Sequence, residues 1–276
     1  MSLSILILTL NEERNLADCL QSVKWSDDIV VLDSFSSDRT VKIAEEMGAR
    51  VVQRRFDNWS AHQNWALEHV SFKHSWVFYL DADERMTEDL KDELLAIADE
   101  ARRAPIAYYC GRQNMFMGRW IKHAMPPGLI MRFFHPPYVR FQRLVNPVPI
   151  IDGPHGYLTG MLTHYNFSKG ISEWIDKHNR YSQLEAQEGM KQVHQSSAGE
   201  PRLFDADPAM RRRALKNLSF RLPLRPLIKF LYFYVWQRGW LDGRAGLTYC
   251  VLQAFYEYMI VLKMRELERQ QRGLLT

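Results

Sequence analysis

The first hundred residues alternate short apolar runs with segments in which apolar residues recur every three or four positions. The apolar runs predict four strands: SILILTL, DIVVLD, ARVVQ and WVFYLD. The segments between and after them predict helices over residues 12–23, 38–48 and 60–70, and from Thr87 onward. Asp38, Ser60 and Thr87 are the expected N-terminal residues of three of these helices. Strand–helix alternation at this spacing predicts an α/β fold, with a mostly parallel sheet between helices.

The pattern loosens from about residue 107. Four stretches predict short strands, some of them antiparallel, with prolines in the loops between them: AYYCGRQNMFM, GLIMRFF, VRFQRLV and GYLTGMLTHY. A helix is predicted over residues 171–190, and the rest of the chain is helical, basic and aromatic. We therefore expect residues 1–105 and 106–200 to form two halves of one α/β domain, followed by a helical region over residues 201–276.

Length and composition fit a globular protein with a sizeable core. The chain has 276 residues, of which 46% are hydrophobic. Its three cysteines are far apart and odd in number, which argues against a disulfide framework and favours a reducing compartment. The N-terminal apolar run lacks a basic lead-in and a small-residue cleavage site, so we interpret it as the first strand.

Charge is distributed unevenly along the chain. Residues 1–100 hold 10 Lys and Arg against 20 Asp and Glu, whereas residues 101–276 hold 26 against 12. A basic half can face nucleic acid, membrane phosphates or an anionic substrate. Its basic residues are interleaved with long apolar and aromatic runs such as RPLIKFLYFYVWQRG. That mixture favours a lipid interface and argues against nucleic-acid binding.

Polar side chains follow three of the predicted parallel strands. They are Thr9, Asn11 and Glu12 after the first strand, Asp33 after the second, and Asp81 and Asp83 after the fourth. Ligands of such sheets bind beyond the carboxyl ends of the strands. The chain has neither a Walker loop nor a GxGxxG loop. Paired carboxylates at a strand end suit Mg²⁺ or Mn²⁺, which would also relieve their mutual repulsion. The alternative is an exposed acidic loop.

Four stretches occur in the order and at the spacing of one family: ILTLNEERNLADCLQSV, DIVVLDSFSSDRTVKIAEEMGARVV, HQNWALE and WVFYLDADE. The chain resembles the family 2 inverting glycosyltransferases, which have the GT-A fold. A closer likeness, to bacterial enzymes of lipopolysaccharide-core and exopolysaccharide synthesis, is carried by GRWIKHAMPPGLIMRFF, HYNFSKGISEWIDKHNRYS and RGWLDGRAG. The resemblance covers almost the whole chain. It implies metal-dependent transfer of a sugar from a nucleotide-sugar, usually a UDP-sugar, to a glycan or lipid-linked acceptor, with the donor on residues 1–105 and the acceptor on residues 106–200.

The resemblance also implies roles for matched positions. Residues expected to line the nucleotide-sugar site are Thr9, Asn11, Glu12 and Asn64. Asp33 would bind the base, and Asp81 would meet the ribose or the sugar. Asp83, with Asp81 beside it, would bind the Mn²⁺ or Mg²⁺ that bridges the diphosphate. Arg132 would meet a phosphate.

The sequence departs from the family on the acceptor side. Relatives often carry an acid near Gly128 and another at Pro147, and this chain has neither. An inverting transfer generally needs a base to take the proton of the acceptor hydroxyl. Asp152 is the nearest remaining candidate, with an ordinary Asp-Gly turn as its alternative. His155 and His164 are further candidates.

These departures leave two other hypotheses open. One is a catalytically weakened family member that binds a membrane or a partner protein. The other is a nucleotidyltransferase, although that class needs a Gly-rich, basic loop where this chain has TLNEERN. Donor hydrolysis or transfer with Mn²⁺ distinguishes them.

The C-terminal part is expected to lie on the inner face of the cytoplasmic membrane. Residues 202–229 hold eight basic residues against two acidic ones. The last apolar stretch, AGLTYCVLQAFYEYMIVL, contains Gln253 and Glu257, so we expect helices at the interface or packed on the catalytic domain, and not a span. The alternative is an ordinary helical cap or a homo-oligomer contact.

Overall fold

The computed structural model describes residues 3–99, 105–143, 147–195 and 224–274. The chain forms two compact units. The first comprises residues 1–115 and 127–168, and the second comprises residues 116–126 and 169–276. The expected boundaries at residues 105 and 200 do not coincide with them. The reasons are that strands after residue 105 continue the first unit's sheet, and that the helix from Ile171 packs on the C-terminal helix.

The described strands, in chain order, are β1 (Ser4–Thr9), β2 (Ile29–Asp33), β3 (Arg50–Gln53), β4 (Val77–Asp81), β5 (Glu84–Arg85), β6 (Ala107–Phe116), β7 (Arg119–Trp120), β8 (Ile130–Phe134), β9 (Val139–Gln142), β10 (Val148–Ile151) and β11 (His155–His164). The described α-helices are α1 (Leu16–Val23), α2 (Thr40–Glu46), α3 (Trp59–His69), α4 (Glu88–Asp99), α5 (Ile171–Gln195), α6 (Arg225–Leu231) and α7 (Gly243–Gln271). Residues 201–223 of the expected helical region lie outside the described residues.

The sheet of the first unit is mostly parallel, which confirms the α/β prediction. Its described strands follow the order β3-β2-β1-β4-β8-β6-β11-β5. β1 pairs in parallel with both β2 and β4, so Thr9 lies opposite Asp33, and Leu8 lies opposite Asp81. β8 runs antiparallel to β4 and β6, and β11 runs parallel to β6. β5 pairs with the end of β11, which places His164 opposite Glu84.

Burial explains why the first strands are continuous apolar runs. All six residues of β1 are buried, because helices cover both faces of this part of the sheet. Helix α1 packs against one face through residues spaced by three and four positions: Leu16, Cys19, Leu20 and Val23. On β11, Gly160 permits a close approach of α4, since a Cβ atom there would lie 2.6 Å from Leu90 Cα.

Of the three predicted helix starts, the one at Thr87 is confirmed, and the one at Asp38 lies one residue early, because Arg39 is the residue that precedes the first turn of α2. The Thr87 hydroxyl accepts a hydrogen bond from Leu90 N at 3.3 Å, and Asp38 Oδ1 accepts one from Thr40 N at 2.9 Å. The third prediction is wrong, because Asn58 caps α3 by accepting from Ala61 N at 2.9 Å. Ser60 lies inside the helix and donates to the carbonyl of Arg143.

The second unit is built around α7. One face of α7 packs against α5 in a cluster made by Ala186, Met190, Ile260 and Met264. A π-helical segment (Tyr232–Trp236) and a 3₁₀ turn (Gly239–Asp242) join α6 to α7. Within the described residues, one helical stretch, Gly239–Gln271, is long and apolar enough to cross a membrane by length and composition alone.

Asp242 joins two motifs that are far apart in the sequence. Its Oδ2 accepts hydrogen bonds from the backbone nitrogens of His123 at 2.9 Å and Ala124 at 2.7 Å, and its Oδ1 lies 2.8 Å from His123 Nδ1. Asp242 belongs to RGWLDGRAG, and the other two residues belong to GRWIKHAMPPG. In this unit the two motifs therefore have a shared structural role.

Candidate active site at the carboxyl edge of the sheet

Asp33 organises the loop that follows β2. Its Oδ1 accepts from Thr9 Oγ1 at 3.0 Å and from Ser36 Oγ at 2.5 Å, and its Oδ2 accepts from Ser36 N at 2.9 Å and Gln53 Nε2 at 3.1 Å. The residue is fully buried. Both carboxylate oxygens are thus engaged by neighbours, and this geometry does not support the expected direct contact with a base. Instead, Asp33 holds the loop in place.

The loop after β1 is hydrogen-bonded to the segment that follows β2. Asn11 has a φ of 55°, and its Oδ1 accepts from Ser37 N at 2.8 Å. Glu12 N donates to Thr40 Oγ1 at 2.7 Å. These contacts preorganise two neighbouring strand ends, and they leave the side chains of Leu10 and Phe35 exposed at this edge.

A hydrogen-bonded relay at this edge was missed in the sequence. Arg54 Nη1 donates to His62 Nδ1 at 2.9 Å, so the ring hydrogen lies on Nε2, which is 3.3 Å from Ser34 Oγ. Burial, together with the charge of Arg54, lowers the pKa of His62 to about 4, and the ring is neutral at pH 7. Ser34 thus accepts from His62 and can donate its own hydrogen to a ligand. The sequence feature that could have indicated it is the hydroxyl of Ser34, directly after Asp33 at the end of β2.

Asp81 lies at the end of β4 with both oxygens engaged. Oδ1 accepts from the Tyr79 hydroxyl at 2.7 Å, and Oδ2 forms an ion pair with Arg132. The side chain is still 33% exposed. Arg132 is buried beneath it, with its guanidinium 4.2 Å from the centre of the Tyr79 ring. This position makes Arg132 a support for Asp81, not the exposed phosphate ligand that was expected.

Glu84, the third carboxylate of the DADE stretch, lies fully buried below the edge. Oε1 is 2.9 Å from Arg132 Nη2 and 3.6 Å from Arg112 Nη1, and Oε2 accepts from Asp81 N at 3.0 Å. Burial raises the pKa of Glu84, although the charge of Arg132 opposes this. Burial alone would lower the pKa of Arg132, but Asp81 and Glu84 outweigh it and raise that pKa well above its usual value. The network keeps the guanidinium charged and the strand end rigid.

Asp83 faces His164, which lies at the end of β11. Asp83 Oδ2 is 3.5 Å from His164 Nε2, and the two side chains are 31% and 11% exposed. His164 Nδ1 lies 2.9 Å from Asn114 Oδ1, and this contact leaves the Nε2 lone pair facing Asp83 when the ring is neutral. Burial opposes ionisation of Asp83, yet a hydrogen bond donated by His164 when its ring is protonated, together with the charges of His164 and Arg132, lowers the pKa of Asp83.

The Asp83–His164 pair fits a divalent cation. A carboxylate oxygen and an imidazole nitrogen lie 3.5 Å apart, and both are common ligands of first-row metals. Among the residues that the structure describes, no group of three or more His, Cys, Asp or Glu side chains is placed to hold a metal. A cation here would therefore need further ligands from a substrate or from water.

Two predicted site residues lie elsewhere. Asn64 Nδ2 donates to Phe141 O at 2.9 Å, and Asn64 Oδ1 accepts from Phe141 N at 2.8 Å, so this amide fastens α3 to β9. Asp152 is exposed immediately before β11 and is bonded through its backbone nitrogen to Tyr138 O at 2.9 Å.

The position of Asp152 corrects the prediction of a catalytic base. β11 runs for ten residues from His155 to His164, a length of about 30 Å for an extended strand. Asp152 precedes its start and His155 is its first residue, whereas Asp83 lies beside its last residue, His164. Asp152 is near the other acceptor-side positions in the sequence, but β11 runs from one edge of the sheet to the other and separates Asp152 from Asp83.

Comparison with known proteins agrees with this architecture. Residues 4–157 match the model of glycosyl transferase family 2. Over 287 residues, the chain is 25% identical to an uncharacterized glycosyltransferase of Rickettsia typhi, covering 99% of this chain and 90% of the other. Over 279 residues, it is 26% identical to the lipopolysaccharide core biosynthesis glycosyltransferase LpsC of Rhizobium meliloti, covering 96% and 92%.

Solved structures show only a distant likeness. The crystal structure of S. aureus TarS 1–349 has a TM-score of 0.45 and 13% identity, covering 99% of this chain and 92% of that one. Glucosyl-3-phosphoglycerate synthase from Mycobacterium tuberculosis has a TM-score of 0.44 and 16% identity, covering 60% and 72%. Similarity at this level carries no argument about ligands. The family match, in contrast, spans the ends of β1, β2 and β4 that build the site, and the chain belongs to glycosyl transferase family 2, as a glycosyltransferase with an α/β fold of the GT-A type.

Proposed function

We propose that this glycosyltransferase moves a sugar from a UDP-sugar, with Mn²⁺ or Mg²⁺, to a lipid-linked or glycan acceptor of lipopolysaccharide or exopolysaccharide synthesis. The observation that carries the donor side is the pair formed by Asp83 and His164 at the carboxyl edge of the sheet. Likeness to LpsC along most of both chains supports the acceptor class. An acceptor of this kind places the enzyme in the cytoplasm, at the inner face of the membrane.

Asp83 and His164 would hold the cation, and the donor diphosphate would complete its coordination. When bound, the cation stabilises the negative charge that develops on the departing diphosphate. An imidazole ligand favours Mn²⁺ over Mg²⁺, which prefers oxygen. Asp81 contributes differently: Arg132 and Tyr79 hold its partly exposed carboxylate, so that it can accept hydrogen bonds from ribose or sugar hydroxyls.

The nucleobase would lie near Ser34, between the exposed side chains of Leu10 and Phe35. The relay from Arg54 through His62 orients the Ser34 hydroxyl, which can then donate to a carbonyl oxygen of uracil. This assignment replaces the direct role expected of Asp33.

Ser34→Ala is expected to weaken UDP binding about threefold to tenfold, because one hydrogen bond contributes roughly 0.5–1.5 kcal/mol. Titration calorimetry with UDP and Mn²⁺ measures the change. Ser37→Ala is the matched control: it removes a hydroxyl from the same loop and keeps the backbone hydrogen bond to Asn11. Equal affinity in wild type and Ser34→Ala would place the base elsewhere.

The function as a whole is tested by thermal shift followed by turnover. Nucleoside diphosphates of uracil, cytosine, guanine and adenine are screened with and without Mn²⁺, since a ligand that binds only the folded state raises its stability. We expect the largest rise with UDP and Mn²⁺, and release of UDP from a UDP-sugar. Binding without turnover on any lipid-linked acceptor would favour the weakened family member. Pyrophosphate release from a nucleoside triphosphate would instead indicate a nucleotidyltransferase.

A further inference from the structure

The second unit exposes apolar side chains along α6 and the π-helical segment. Leu224, Leu227, Leu231 and Val235 recur at intervals of three and four residues, and so they share one helical face. Leu224 is 70% exposed, and Trp236, at the end of this stretch, is 80% exposed. We call this surface, over residues 224–236, the apolar stripe. A soluble protein rarely presents a contiguous apolar surface of this kind without a partner.

The polar side chains of α6 point the other way. Arg225 forms an ion pair with Glu257 of α7, and Lys229 Nζ lies 3.8 Å from Glu257 Oε2. The Arg225 and Glu257 side chains are largely buried. In a helix on the surface of a soluble protein, the apolar face is buried and charges face water. In α6 the charges are inside and the leucines are outside, the arrangement expected of a helix with an apolar environment on its outer side.

Helix α7 repeats this arrangement. Val251, Phe255, Tyr258 and Leu262 are exposed at spacings of three and four residues, on a face distinct from that of Ile260 and Met264, which pack on α5. Glu257, the acid that argued against a membrane span, is neutralised inside the protein by its basic partners. Because both helices carry charges on their buried sides, the pair is expected to lie on the surface of a membrane. Neither helix is expected to cross the membrane by itself.

Charge decides between lipid and a second copy of the chain as the occupant. Arg238 and Arg244 are exposed next to Trp236 and Trp240. Residues 116–126 and 169–276, which form the second unit, hold 20 Lys and Arg against 11 Asp and Glu. A second copy would bring the same positive charge to the contact, whereas an anionic bilayer would neutralise it. Tryptophan beside arginine is also typical of the bilayer interface.

We propose that the apolar stripe and the flanking Arg238 and Arg244 dock the enzyme on an anionic bilayer, with α6 lying in the plane of the headgroups. Leu224 and Trp236 enter the acyl boundary, and the arginines contact lipid phosphates. This inference deepens the proposed function, on which it rests for its purpose: it holds the enzyme where lipid-linked acceptors are found.

Flotation of the full chain with vesicles tests the proposal. Vesicles of phosphatidylcholine alone and of phosphatidylcholine with phosphatidylglycerol are compared at low and high salt. We expect binding to the anionic vesicles that weakens with salt. Leu224→Ser/Trp236→Ser should lose roughly tenfold or more of this binding, because it removes two strongly exposed apolar groups. Leu129→Ser/Tyr157→Ser, which changes two exposed apolar residues of the first unit, is the matched control and should float like wild type.

Calorimetric binding of UDP and Mn²⁺ is measured on the same samples, and it separates this proposal from the donor assignment. Wild type that binds the donor but does not float, or a Leu224→Ser/Trp236→Ser variant that floats equally well, would overturn the docking surface alone. Sedimentation provides the remaining test. A wild-type dimer that the double substitution converts to a monomer, with no flotation in either, would assign the stripe to a second copy. Wild type that floats but does not bind UDP and Mn²⁺ would leave the docking surface intact and would refute the donor assignment.

Discussion

Asp83→Ala is expected to abolish metal-dependent sugar transfer, lowering kcat by about a thousandfold or more. Removing a group that stabilises charge in the transition state typically costs two to three orders of magnitude, and here the cation would be lost with it. UDP affinity in the variant should be the same with and without Mn²⁺, whereas in wild type Mn²⁺ should strengthen it. Calorimetry and a UDP-release assay measure the two effects.

Two further variants make this result specific. His164→Ala should retain part of the activity and shift the preference from Mn²⁺ toward Mg²⁺, because an imidazole ligand is replaced by water. Asp89→Asn removes an exposed carboxylate in the first turn of α4, and it should behave like wild type. If wild type binds UDP equally well with and without metal, Asp83 is not a metal ligand.

Arg132→Met is expected to destabilise the first unit by about 3–5 kcal/mol, the usual cost of leaving a buried charge without its partner. Glu84 is fully buried, and its Oε1 lies 2.9 Å from Arg132. Adding Glu84→Gln should restore much of the loss, because the amide carries no charge. Urea denaturation measures both. Arg140→Met is the control, since Arg140 pairs with Glu68 on the surface at 3.7 Å and contributes little.

The loss should also depend on pH. Burial raises the pKa of Glu84, and without Arg132 its main opposing charge is gone. The folded variant then binds a proton more readily than the unfolded chain does. Its stability is therefore greater at low pH and falls as pH rises past the ordinary carboxyl range. We expect the difference from wild type to be smaller at pH 5 than at pH 8. If the difference in unfolding free energy between variant and wild type does not change with pH, the unpaired Glu84 carboxylate is not the cause of the lost stability.

The sequence predicted the elements of the first unit well because their signals are local. Apolar runs such as SILILTL are buried on both sides, and α1 shows its buried face in its spacing. Helix starts were less certain, because Asn58 and Ser60 are both good caps, and only the backbone geometry selects between them. The bounds of the two compact units are not visible in local patterns, since the helix from Ile171 packs on a helix that lies some eighty residues further along the chain.

The sequence by itself determined the fold class, the family and the set of polar residues at the strand ends. The reason is that the alternation of strands and helices, and the residues that follow each strand, are local features of consecutive residues. The tertiary structure decided what each polar residue does. Asp33 and Asn64 have side chains that could hydrogen-bond a nucleotide, but these side chains are already hydrogen-bonded to neighbouring protein groups. Asp152 lies at the wrong end of β11, and His164, 81 positions after Asp83 in the chain, lies beside it. A side chain's role depends on which groups surround it and on how deeply it is buried, and pairing between distant strands sets both.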